Sequence, residues 1–76
     1  MRVEVRIEDA DPGEEVEVIA VHAQVGATVA AGDPLLEVET DKANMDLPAP
    51  AAGTVVEIIA EGEMVAADAV FAVIDG

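Results

Sequence analysis

Apolar and polar residues alternate through short stretches of this chain, and turn-forming residues separate those stretches. Val3, Val5 and Ile7 alternate with Arg2, Glu4, Arg6 and Glu8, the pattern of a half-buried strand. Asp9-Ala10-Asp11-Pro12-Gly13 interrupts it with turn chemistry. A longer apolar-rich segment runs from Glu15 to Val25. It carries Val16 and Val18 on one parity and Ile19, Val21 and Val25 on the other, so it reads as a strand that changes face near Ile19. Gly26 and Gly32 bracket a short piece at Thr28-Val29, and Pro34 opens a strand through Leu35-Leu36-Glu37-Val38-Glu39. Thr40-Asp41-Lys42-Ala43-Asn44 is short and polar, as a tight turn requires. Met45-Asp46-Leu47 then leads into Pro48-Ala49-Pro50, which ends any long regular element. Gly53 opens Thr54 to Ile59, Glu61-Gly62-Glu63 turns, and Val65 and then Val70 to Ile74 complete the set of strands. Ala27 to Ala31 and Ala66 to Ala69 have helical propensity, but Gly, Pro and Val-rich segments bound both below the length of a stable helix, so they read as connectors.

The second part of the chain echoes the first. Gly26 to Glu39 can be laid on Gly62 to Asp75 at a constant offset of 36 residues. Gly, Val, Ala-Ala, a bulky apolar residue at Leu35 and Phe71, and Val38 and Ile74 each followed by an acid all coincide. Two similar halves of about four short strands each, about 1–39 and about 44–76, follow from this. Such halves can stack as two sheets, each with one apolar face. The fold expected is therefore all-β: one domain spanning 1–76, a flattened barrel or sandwich of two four-stranded antiparallel sheets with pseudo-two-fold symmetry. The turn at about 40–43 joins the halves and stands exposed at one extremity.

Composition sharpens this picture. Among 76 residues there are thirteen Val and five Ile but only three Leu, so the core is small, aliphatic and suited to strands. A chain of this length buries only roughly 60% of its unfolded surface. With no Cys, disulfides, thiol catalysis and thiolate-ligated zinc are excluded. Phe71 is the only aromatic residue, which removes base stacking on nucleic acid. Three basic residues against seventeen acidic ones give a formal net charge of −14, repelling nucleic acid and anionic membrane surfaces. The longest strictly apolar run, Ala69 to Ile74, is too short to span a bilayer, and the N-terminus has no apolar signal core. A cytoplasmic or organelle-matrix location is the expectation. The basic residues are Arg2, Arg6 and Lys42, so the only lysine sits in the central turn.

Glu39-Thr40-Asp41-Lys42-Ala43-Asn44-Met45-Asp46-Leu47-Pro48-Ala49-Pro50 closely resembles the lipoylation hairpin of 2-oxo acid dehydrogenase complexes. That hairpin has Glu-Thr-Asp-Lys-Ala, then Met and an acid, then a Pro-rich entry to a Gly, which Gly53 fits. The Gly-x-x-Val turns at Gly26 and Gly62 fit as well, and the resemblance runs from Val3 to Asp75. It departs from the family at distal turns: Ala27 and Glu63 stand where Asp usually follows Gly, and Gly53 to Gly62 is one residue short.

The resemblance implies a lipoyl domain of a dihydrolipoyl acyltransferase. Such a domain is a non-catalytic swinging-arm carrier, with lipoate in amide linkage to Lys42. It implies a thiamin-diphosphate 2-oxo acid decarboxylase, an acyltransferase core that uses coenzyme A, a dihydrolipoyl dehydrogenase, and a lipoate ligase or octanoyltransferase as partners. Glu39, Asp41 and Ala43 would guide the attaching enzyme. The Glu8 to Glu14 loop, with Asp9, Asp11 and Gly13, would lie near the lysine and help the decarboxylase recognise its carrier. Asp-Leu-Pro-Ala-Pro after the lysine looks more like pyruvate-complex carriers than others. The isolated domain is expected to be monomeric.

Other readings are weaker on the residues themselves. A nucleophilic lysine needs burial or cationic neighbours, whereas Glu39, Asp41 and Asp46 favour the charged, non-nucleophilic amine. Biotin carriers place Met on both sides of the lysine, but here the flanks are Asp41 and Ala43, with Met45 three residues on. An unmodified interaction module has no use for Asp-Lys-Ala at the tip. Asp9-x-Asp11-x-Gly13-x-Glu15 lacks the bidentate Glu of a calcium loop, because Ala20 occupies that position. His22, the single histidine, reads as structural.

Overall fold

A computed structural model describes residues 1–8 and 10–76. Eight strands follow one another: β1 (Arg2–Val5), β2 (Glu15–Val21), β3 (Thr28–Val29), β4 (Pro34–Glu39), β5 (Asn44–Pro48), β6 (Gly53–Ile58), β7 (Met64–Ala66) and β8 (Ala72–Asp75). They form two four-stranded antiparallel sheets, ordered β1-β8-β6-β3 and β5-β4-β2-β7. The alanine-rich pieces around Thr28-Val29 and Ala66-Ala69 form short strands and turns, and no helix occurs among the described residues. Several strands are shorter than their apolar patterns. β1 ends at Val5 although the alternation continues to Ile7, and β2 ends at Val21 although apolar residues continue to Val25.

Advancing every strand number by four converts one sheet order into the other, which is the expected pseudo-two-fold. The halves interleave, however. Each sheet takes two strands from each half, so neither half is a sheet by itself. The reason lies in the backbone pairing. The N–H of Gly26 donates to Val55 O and that of Val55 to Ala27 O, while Gly62 donates to Val18 O and Val18 to Glu63 O. Each half thus closes its turn on a central strand of the other. Gly26 and Gly62 have φ of 94° and 89°, a left-handed conformation that glycine adopts without a Cβ penalty.

Alternation on its own would place only every second residue inside. Here β-bulges alter it. The β2–β4 register shifts between Val18 and Ala20, which realises the change of face expected near Ile19. The β6–β8 register shifts between Val55 and Glu57, at the pseudo-symmetric position. A third shift, between Pro34 and Leu36, lets Leu35 and Leu36 both turn inward. The core contains Val5, Val16, Val18, Leu35, Leu36, Val38, Val55, Phe71 and Ile74, and no polar or charged side chain is buried among the described residues. The equivalent residues Leu35 and Phe71 are among its largest members. The backbone N–H of His22 donates to Leu35 O and that of Ile59 to Phe71 O. The missing residue therefore lies between Ile59 and Gly62, where the second half turns more tightly than the first does between His22 and Gly26.

The molecule measures 31 × 20 × 17 Å. At one end β4 begins: Ala49 N–H donates to Asp33 O, and Gly53 enters β6 opposite Val29 and next to Asp75. The chain termini meet at this end, with Gly76 N–H donating to Met1 O at 2.9 Å. β4 runs away from it to the β4–β5 hairpin, which forms the opposite end.

Candidate functional site

The hairpin is built outward from β4 and β5. Val38 pairs with Met45 and Glu39 with Asn44, after which Thr40 N–H donates to Ala43 O at 2.9 Å. Asp41 and Lys42 remain as the tip of a four-residue turn. The turn is closed on its other side by a side chain. Thr40 Oγ1 accepts the N–H groups of Lys42 (3.2 Å) and Ala43 (3.1 Å) and donates its own proton to Ala43 O at 2.8 Å. Threonine hydroxyls substitute for backbone acceptors in this way. The sequence places Thr40 in a polar turn and in the Glu39-Thr40-Asp41-Lys42-Ala43 motif but assigns it no role; the structure makes it the residue that closes the turn. The signal was available in its position at the first residue of a four-residue turn.

Asp41, Lys42, Ala43 and Asn44 are all exposed. The Lys42 ammonium forms no ion pair among the described residues, although Glu39 and Asp46 stand on the adjoining strands. The turn therefore presents an exposed amine on a four-carbon stem that no ion pair or hydrogen bond engages among the described residues. This is what covalent attachment of an arm needs: steric access for an attaching enzyme, a fixed base for the arm, and an acylable nitrogen. It is also the wrong environment for a nucleophilic lysine, which requires burial or cationic neighbours.

The strand register places the Asp11–Glu14 turn at the same end. Glu17 pairs with Glu39, so the start of β2 lies level with the hairpin, and Glu14 O accepts the Ala67 N–H at 2.8 Å. Asp11 Oδ1 accepts the N–H of Gly13 at 2.9 Å, and Asp11 O accepts that of Glu14 at 3.0 Å. Pro12 occupies the second turn position, where its fixed φ suits the bend. The Asp11 carboxylate is thus occupied in shaping the loop. Gly13 has ordinary φ and room for a Cβ, so it is not required sterically. Asp9 lies outside the described residues. His22 Nε2 is 3.4 Å from Glu37 Oε1 on the neighbouring strand, a surface pairing away from the tip.

Comparison with known proteins places this geometry in a family. The family described as biotin-requiring enzyme matches residues 5–74. The dihydrolipoyllysine-residue acetyltransferase component of the pyruvate dehydrogenase complex of Cupriavidus necator is 36% identical over 75 residues, which are 97% of this chain and 14% of that protein. Urea carboxylase of Kluyveromyces lactis contains the same fold, with a TM-score of 0.80, 29% identity, and coverage of 99% of this chain and 6% of that one. The lipoyl domain of the 2-oxoglutarate dehydrogenase complex of Azotobacter vinelandii superposes with a TM-score of 0.74 at 23% identity, covering 97% of this chain and 98% of that domain. The chain therefore spans a small part of the acetyltransferase component, but the whole of a lipoyl-domain fold. With two interleaved four-stranded sheets and a lone lysine at the tip of the hairpin between their halves, this chain belongs to the family of biotinyl/lipoyl attachment domains.

Proposed function

We propose that this chain is an acyl-carrier domain in which lipoate is amide-linked to Lys42. The observation that carries the reading is the hairpin tip: the only lysine, exposed, on a turn held by Thr40 and flanked by Asp41 and Ala43. These flanks favour lipoate over biotin, because Met45 lies on β5 and not beside the lysine. In attachment the Lys42 ammonium would first give up one proton, and the neutral amine would attack the carbonyl of an activated lipoyl donor, such as the acyl adenylate formed from lipoate and ATP. The amide would form as the activating group leaves, and the nitrogen would give up a second proton. The loss of one positive charge takes the formal net charge from −14 to −15. Once bound, the lipoyl group supplies the dithiolane chemistry that accepts an acyl group with reduction and yields it to coenzyme A.

The chain itself contributes placement. The two sheets keep the base of the arm rigid, and the hairpin holds it at the end farthest from the chain termini. Tethering raises the effective concentration of the arm at each partner's site. The partners proposed are a thiamin-diphosphate decarboxylase specific for a 2-oxo acid, with pyruvate favoured by Asp46-Leu47-Pro48-Ala49-Pro50, an acyltransferase core and a dihydrolipoyl dehydrogenase. Glu39, Asp41 and Ala43 face the attaching enzyme, and the Asp11–Glu14 turn shares their end of the molecule with the decarboxylase.

The test is incubation with lipoate, ATP and a lipoate ligase, followed by intact mass and peptide mapping. A single lipoyl increment on Lys42, absent in Lys42→Arg, supports the reading. An increment with biotin and a biotin ligase, but none with lipoate, would assign the site to biotin instead. No increment from either on a folded chain would leave an unmodified β-module.

A further inference from the structure

The two sheets are not joined by hydrogen bonds between β1 and β5, the edge strands that face each other across one side of the sandwich. A groove of about 770 Å³ runs along this seam. Its floor and walls include Val5, Ile7, Met45, Leu47 and Pro48. Val5 and Leu47 are nearly buried, while Met45 is 38% exposed and leaves part of its apolar side chain open to the groove.

The direction of the groove follows from the strands. β1 runs from the terminal end toward the hairpin end, because Arg2 pairs with Asp75 and Val5 with Ala72. β5 runs the opposite way, starting at Asn44 beside the hairpin. The end of the groove lined by Ile7, Glu8 and Met45 therefore opens at the Lys42 turn. Met45 lies three residues beyond Lys42, at most about 10 Å along the chain. The lysine stem extended by an octanoyl-length acyl chain outreaches that separation.

Charge selects among occupants. Glu4, Glu8 and Asp46 line the groove against the single cation Arg6, which is itself bound to Glu4 at 2.7 Å. A free carboxylic acid is repelled there. The unmodified Lys42 side chain ends in a strongly hydrated ammonium and brings no apolar chain long enough to fill the groove. An amide-linked acyl chain is uncharged and apolar, and it is tethered at the mouth of the groove. A short tether supplies an effective concentration on the order of millimolar, enough to populate even a shallow site.

We propose that the β1–β5 seam is a resting site for the arm attached to Lys42, occupied by its apolar chain between encounters with partners. This inference rests on the attachment of an acyl chain to Lys42 proposed above. A docked arm is shielded from solvent and is withdrawn when a partner offers a better-fitting channel. Met45 and Ile7 act as positioning residues at the mouth of the groove.

The experiment compares three forms of the 76-residue chain by heteronuclear NMR: unmodified, Lys42-acetylated and Lys42-lipoylated, each confirmed by mass. Acetylation removes the same charge without supplying the chain. Expected are methyl and amide shifts at Val5, Ile7, Met45 and Leu47 in the lipoyl form only, with nuclear Overhauser contacts from the arm to the Met45 and Ile7 methyl groups. Met45→Glu, which leaves the core intact, should abolish these shifts while Lys42 is still lipoylated. Shifts confined to 40–44 and equal in the acetyl and lipoyl forms would overturn the proposal. Groove shifts that grow with protein concentration would overturn it in favour of a second copy. Should the ligase fail to modify Lys42, the attachment reading fails separately. Octanoylation of Lys42 with an active ester then still tests the groove by the same shifts. Free octanoate, being anionic, should leave the groove resonances unmoved.

Discussion

Thr40→Val isolates the interaction that makes the hairpin a rigid support. Valine keeps the β-branched shape but removes one donor and one acceptor. Three contacts vanish: those from Lys42 N–H and Ala43 N–H, and that to Ala43 O. The main-chain bond from Thr40 N–H to Ala43 O remains. Each lost bond contributes about 0.5–1.5 kcal/mol net in a typical case. The turn is at the surface, where water replaces much of what is lost, so the sum should lie near the lower end, about 1–2 kcal/mol. For a chain of this size that corresponds to a drop in Tm of roughly 4–16 °C. The freed Lys42 and Ala43 amides should exchange with solvent faster than in the parent. An attaching enzyme must then order the turn itself, and a cost of about 1.4 kcal/mol lowers its kcat/KM about tenfold. Thr40→Ser restores the hydroxyl and should recover most of the stability and rate. Thermal denaturation followed by far-UV circular dichroism, amide exchange and initial rates of lipoylation by intact mass read these effects. A Val variant with unchanged exchange at Lys42 and Ala43, or a Ser variant as impaired as Val, would refute the reasoning.

Other outcomes follow from the same structure. A Cβ at Gly53 would lie 2.5 Å from Asp75 O and 2.8 Å from Ile74 Cγ2. Gly53→Ala must push β6 from β8 and should lower stability by about 1–3 kcal/mol, measured by urea denaturation. Gly26 and Gly62 have no atom within 4 Å of such a Cβ, so Ala there costs only the left-handed backbone term, about 1–2 kcal/mol at each. Near-equal losses in the two variants would support the pseudo-symmetry, and a large difference would count against it. Given the net charge of −14, a decarboxylase that offers a basic patch should acylate the lipoylated carrier more slowly as ionic strength rises through about 0.1 M, where the Debye length is about 10 Å. A rate independent of salt would remove electrostatic attraction from partner recognition.

Much of this protein could be read from its residues because the relevant physics is local. Alternation of Val and Ile with charged residues specifies strands, while Gly, Pro and Asp mark the turns. The Gly26-to-Glu39 echo at Gly62 to Asp75 implied two equivalent halves. A lone lysine at the junction marks the candidate site in the sequence itself. Strand ends were less legible. Ile7 and Val25 continue the apolar pattern, yet the strands stop earlier, because pairing partners and not side-chain parity decide where a ladder ends.

The tertiary structure decided what depends on partners distant in sequence. Parity cannot show that Gly26 docks on Val55 while Gly62 docks on Val18, and those bonds interleave the halves. The same applies to the bulges near Ile19 and Val56, which form only where two strands of unequal local length meet. The opposition of the Lys42 hairpin to the paired termini follows from the direction of β4 within the sandwich, and the β1–β5 groove from two edges that approach without bonding. Sequence determined which segments form strands and which residue carries the chemistry, since propensity and chemical identity belong to each residue alone. Placement of that residue on a rigid extremity beside an open apolar seam arose only in the fold, because hydrogen-bond pairing between remote strands sets both.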